Sequence, residues 1–205
     1  MERWEKIMNH AISIRIVEKL TSKKYDEEDI QCLKCVYALE CILAEGEKTI
    51  VIFLFFALFH QAMQFFACFI TTVLIRTFLG GIHQKTMFRC VMFSILIYTA
   101  AILCGHYIEI PTLIMVVIVL GEMVIVYLFA PIPSKERPIY TQSQRKKLKF
   151  NALAGVAICS VILIGFSEVR NTMVWMMLLQ QIECYLAQKN MMERRKAEWE
   201  NIGKK

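Results

Sequence analysis

His83 and Cys90 lie seven positions apart in "RTFLGGIHQKTMFRC", residues 76–90, a short polar stretch between two long apolar runs. A cysteine attacks as its thiolate, and a neighbouring imidazole can take the thiol proton or, as imidazolium, stabilise the sulfur anion. Cys90 is therefore a candidate nucleophile with His83 as its base. Arg76, Lys85 and Arg89 supply positive charge with no acid in the same stretch. They favour the thiolate, as does a place in the first turn of a helix expected to begin near Phe88.

Geometry constrains this reading. On one straight helix a step of seven residues separates the two Cα atoms by about 10.5 Å along the axis, whereas proton transfer needs about 3 Å. The chain between Thr77 and Met87 must bend, and Gly80 and Gly81 immediately before His83 supply the backbone freedom to do so. The competing reading is an ordinary loop that contains a His and a Cys, because this spacing alone specifies little.

Other catalytic apparatus is missing from the sequence. There is no HExxH, no GxSxG elbow, no P-loop and no GxGxxG. His10, His60 and His106 are scattered without an acidic cluster at metal-ligand spacing. No cofactor and no metal are expected, and nothing points to nucleic acid. Cys32 and Cys35 form a CxxC without a second Cys/His pair, so packing on a helix is its simpler explanation. Cys68, Cys104 and Cys159 fall inside apolar runs, where a thiol behaves as a small hydrophobe, and few or no disulfides are expected.

The elements that must hold this stretch are membrane helices. Of the 205 residues, 57% are hydrophobic, and the mean hydropathy is +0.46, which is too apolar for a soluble domain. The fold class expected is all-α: a polytopic integral membrane helical bundle of about six membrane-associated helices, four of them firm spans, plus an N-terminal amphipathic helix. Residues 49–75, 88–103, 110–130 and 150–166 are the four apolar runs nearest the required length of roughly 17 to 25 residues. Residues 30–44 are short and carry Lys34 and Glu40, and 173–187 is also short. The organisation expected is an amphipathic helix and polar linker over 1–29, a transmembrane domain over 30–187 and a basic tail over 188–205.

Residues 1–20 alternate apolar and charged positions at helical spacing without an uninterrupted apolar core, so they do not read as a secretory signal. Such a helix lies on the membrane surface or packs on the protein itself. Orientation follows from the short basic segments, which stay cytoplasmic. Residues 131–149 hold six Lys/Arg against one Glu, and the tail from Gln188 holds six against three. Counting spans back from these puts residues 76–90 at the cytoplasmic interface together with both termini. Parity then leaves two routes for the first half. Either 30–44 also crosses and 49–75 crosses once, which is the favoured route, or 49–75 bends back near His60 and Gln61.

With these residues in view, the chain resembles the accessory gene regulator B (AgrB) family of membrane-embedded cysteine endopeptidases. Arg76, Gly80, Gly81, His83 and Cys90 match the family's R, GG, H and C pattern. "YALECILAEGEKTIVIFLFFAL" (37–58) resembles its Tyr-Gly-x-Glu entry into an apolar segment, with Ala38 where Gly is usual. "APIPSKERPI" (130–139) resembles the loop before its last hairpin.

The resemblance implies a bacterial membrane enzyme, a function that composition alone does not show. Its substrate would be an AgrD-like precursor peptide with an amphipathic leader, a central Cys or Ser and an acidic C-terminal tail. Cys90 would form an acyl-enzyme as the tail leaves, with His83 as general base and acid, and the precursor's own nucleophile would close a thiolactone or lactone. Candidate substrate contacts are Arg76, Gly80, Gly81, Lys85, Arg89, Glu40, Lys135 and Arg137. The cations would steer the acidic tail, or else serve only as topological anchors that touch anionic lipid. Glu40 would orient His83, or else form a structural ion pair. A homodimer in contact with membrane lipid is also implied. The rival reading is a non-enzymatic peptide export component or small channel with His60, Gln61 and Gln64 along a polar path, and a further rival is an intramembrane metalloprotease.

Overall fold

The computed structural model describes residues 2–21, 24–26, 29–79, 86–131 and 141–202. Among them are seven helices and no strand: α1 (Glu2–Thr21), α2 (Ile30–Leu58), α3 (Ala62–Leu79), α4 (Met87–Tyr107), α5 (Thr112–Phe129), α6 (Gln142–Gly165) and α7 (Ser167–Ile202). The all-α expectation and its helix number hold. Four of the helices, α3, α4, α5 and α6, are long and apolar enough to cross a membrane.

The apolar run 49–75 is not one span. Its first part completes α2, a single 29-residue helix that begins at Ile30 and runs through Glu45, Gly46, Glu47 and Lys48 without a break. The interruption falls at Phe59–Gln61, where His60 takes a φ of 58°. The His60 N–H donates to the Ala57 carbonyl at 3.0 Å, and the Gln61 N–H donates to the Phe56 carbonyl at 2.9 Å. These are the two bonds of a Schellman stop, with His60 in the left-handed seat that glycine usually fills.

Past the stop the chain folds back. Twelve residues of straight helix would hold Phe53 and Phe65 about 18 Å apart, yet their ring centroids lie 5.6 Å apart. The favoured single crossing by 49–75 therefore gives way to a bend at the alternative point, His60 and Gln61.

Other boundaries also move. The basic segment 142–149 is helical and forms the start of α6, whose N-cap Thr141 and Gln144 make a capping box. Helices α6 and α7 meet at Phe166, since α7 already begins at Ser167. That helix continues through Ile202, so much of the expected tail is helical.

Two apolar clusters build the interior. One joins Ile75 and Leu79 of α3, Ile118 and Val126 of α5, Val156 and Cys159 of α6, and Met173 and Met177 of α7. The other joins Ile52 and Phe56 of α2, Phe65 and Cys68 of α3, Tyr98 and Ala101 of α4, and Met176 of α7. Helices α3 and α7 belong to both, and α7 packs against α3, α4, α5 and α6. Close approaches fix this arrangement. A Cβ on Gly105 would come within 2.8 Å of the Thr172 Cα, and one on Gly155 would collide with the Leu74 carbonyl.

Polar contacts tie α7 to the α4–α5 turn and to α3. The Asn171 amide donates to the Gly105 and Ile108 carbonyls at 3.0 Å each, and its oxygen accepts from the Ile110 N–H at 3.1 Å. Thr172 donates to Gln64 at 2.7 Å. At the other end of the chain, α1 packs on α2 through buried Asn9, Ser13 and Val17, spaced one helical turn apart. The N-terminal helix thus has a protein partner, while its Met8, Ile12 and Leu20 stay exposed.

Candidate functional site

Cys90 sits in the first turn of α4. Thr86 caps this helix: its hydroxyl accepts from the Arg89 N–H at 3.3 Å, and its carbonyl accepts from the Cys90 N–H at 3.1 Å. A threonine at the cap satisfies donors that a helix start otherwise leaves unpaired. The Cys90 thiol is half-buried and free of any disulfide. The helix start near Phe88 was legible in the sequence, and Met87 begins it.

Helices α3 and α4 pack against each other. Phe65, in the first turn of α3, has its ring centroid 6.0 Å from that of Tyr98 in α4. His83, Gly80, Gly81 and Lys85 lie outside the described residues, as do Lys135 and Arg137.

Arg76 is where α3 ends, in its last turn. Its guanidinium meets the carboxylate of Glu183 on α7 at 2.8 Å, with side-chain exposures of 28% and 7%. Such a pair is a charge-assisted hydrogen bond in largely apolar surroundings. Arg89 is exposed.

Glu40 contacts His10 of α1, as an imidazole–carboxylate pair. Of the two readings of Glu40, this contact is the structural one, with His10 as the partner. Asn9 adds a second α1–α2 link, to Glu47 at 3.4 Å. Gln64, one of the residues set along a polar path in the channel reading, instead bonds Thr172 and the Glu168 carbonyl.

Sequence reasoning passed over two buried acids, Glu183 and Glu122. Glu122 of α5 is fully buried, and among the described residues neither of its oxygens has a hydrogen-bond partner. Nearby, Gln181 of α7 donates to the Ile118 carbonyl, one turn before Glu122, at 2.9 Å. A signal for both was present: each is an acid inside an otherwise apolar run, where an ionisable group demands an explanation. Among the described residues no cluster of three or more His, Cys, Asp or Glu side chains could hold a metal ion.

Comparisons with known proteins fit this arrangement. The family model described as accessory gene regulator B matches residues 13–184, which include Arg76, Cys90 and Glu183. An AgrB-like protein of Clostridium beijerinckii is 33% identical over 136 residues, covering 63% of this chain and 68% of the relative. Another, from Clostridium perfringens strain SM101, is 26% identical over 197 residues, covering 86% and 90%. The accessory gene regulator protein B of Staphylococcus carnosus is 26% identical over 140 residues, covering 68% and 73%. No solved structure matches. With a match over most of its length and four helices able to cross a membrane, this chain belongs to the accessory gene regulator B family of membrane proteins.

Proposed function

We propose that the protein is a membrane cysteine endopeptidase that removes the acidic C-terminal tail of an AgrD-like quorum-sensing precursor and supports its cyclisation. The observation that carries this reading is the position of Cys90, a free and half-buried thiol in the capped first turn of α4, within the segment matched by the family.

In this reading His83 takes the Cys90 proton, and the sulfur attacks the carbonyl at the tail junction. The peptide C–N bond breaks as His83 returns the proton to the leaving amine, which leaves the upstream peptide as a thioester on Cys90. The precursor's own Cys or Ser then attacks that thioester. A thiolactone or lactone forms and the Cys90 sulfur is released, to be reprotonated through His83. Exchange between two thioesters is close to balanced, whereas water would discharge the acyl group, so a partly desolvated interface suits the chemistry. The site and both termini face the cytoplasm, where the precursor is made, and the protein works as a homodimer in the bacterial membrane. Lys85, Arg89, Lys135 and Arg137 attract the acidic tail.

The test is cleavage of a synthetic peptide with an amphipathic leader, a central cysteine and an acidic tail, by protein reconstituted in lipid vesicles. Cys90→Ala and His83→Ala are each expected to abolish tail release, and wild type is expected to accumulate a thioester that hydroxylamine discharges. Retention of cleavage by Cys90→Ala would sink the proposal, and loss of wild-type activity on adding a chelator would favour a metalloprotease.

A further inference from the structure

Arg76 stands in the last turn of α3, and the residues that follow it lead through Gly80 and Gly81 to His83. Its partner Glu183 belongs to α7, the helix that packs against both α3 and α4. We propose that Glu183 is a positioning residue: by holding Arg76 it fixes the end of α3 against α7, the helix on which α4, the carrier of Cys90, also packs. This rests on the cysteine-peptidase reading.

Three observations support the role. The first is the pairing itself, at 2.8 Å with Glu183 almost wholly buried. Breaking a buried pair of this kind is strongly destabilising, so the geometry is strongly held. The second is the environment of the turn. Ile75 and Leu79, on either side of Arg76, are buried in the cluster shared with α5, α6 and α7. The ion pair therefore adds a directional constraint to a turn already docked by apolar packing. The third is the reach to α4, where Tyr98 packs in the same cluster as Met176 of α7.

The role differs from tail capture in its kinetic signature. If Arg76 bound the acidic tail of the precursor, weakening its tie to Glu183 would alter KM. A positioning tie alters the alignment of nucleophile and base, and so lowers kcat with KM unchanged.

The experiment compares wild type, Cys90→Ala, Glu183→Gln, Glu183→Asp and the exchanged pair Arg76→Glu with Glu183→Arg, in vesicles with the synthetic peptide above. It also follows amide hydrogen exchange over residues 72–79. Glu183→Gln is expected to lower kcat about ten- to a hundredfold, leave KM within about twofold and speed exchange at 72–79 while α5 is unchanged. Glu183→Asp should fall between it and wild type, and it serves as the readable variant if Glu183→Gln does not fold. The exchanged pair should recover part of the lost kcat and of the exchange protection. Unchanged kcat in Glu183→Gln, a change confined to KM, or unaltered exchange at 72–79 would each overturn the proposal. Cleavage by Cys90→Ala would instead remove the peptidase reading, and hydrogen exchange, which needs no turnover, keeps the two failures apart.

Discussion

Gly155 of α6 lies against the backbone carbonyl of Leu74 in α3 with no space for a side chain between them. Gly155→Ala forces these helices apart at the centre of the larger apolar cluster. The expected cost is about 1–3 kcal/mol, read as a lower midpoint of thermal unfolding in detergent. Gly46→Ala is the control: its Cβ would meet nothing within 4 Å, and alanine is the better helix former, so the midpoint should hold or rise.

His60 occupies the left-handed seat of the Schellman stop with a φ of 58°. A side chain with a Cβ pays about 1–2 kcal/mol there that glycine avoids. His60→Gly is therefore expected to raise the unfolding midpoint by a few degrees, and His60→Val, branched at Cβ, to lower it. The exposed imidazole makes this a backbone test, free of any buried contact. A lower midpoint for His60→Gly would show that the ring itself contributes.

Thr86 caps the helix that presents Cys90. Thr86→Ala should destabilise the start of α4 by about 1 kcal/mol, and Thr86→Ser should retain most of the cap. The measurement is hydrogen exchange at the amide of Arg89, the donor to the Thr86 hydroxyl. It should quicken in Thr86→Ala and stay near wild type in Thr86→Ser. Equal exchange in both variants would argue that tertiary packing alone holds the turn.

Hydropathy made the four spanning helices and the helical class legible, because lipid-facing and core-facing positions are both apolar and long runs of them have few alternatives. The bend at His60 was legible as a polar interruption, though not as the end of a 29-residue helix. Glu45, Glu47 and Lys48 hid the continuity of α2 for a simple reason: helical hydrogen bonds close within the backbone whatever the side chains carry. The same holds for the basic start of α6 and for α7 beyond Gln188. At the candidate site, the first-turn place of Cys90 followed from local sequence, whereas its Thr86 cap came from the structure. The tie from Arg76 to Glu183 did not, since nothing in a single sequence says which buried acid an arginine will choose.

Because α3 and α7 share both apolar clusters, the order of synthesis matters. The ribosome makes Arg76 and Cys90 well before Glu183, Asn171 and the rest of the helix that joins the two halves. Until α7 emerges, the earlier helices lack their common wall, and the end of α3 lacks its ionic partner. A product truncated before α7 would lack the contacts through which that helix joins the two apolar clusters.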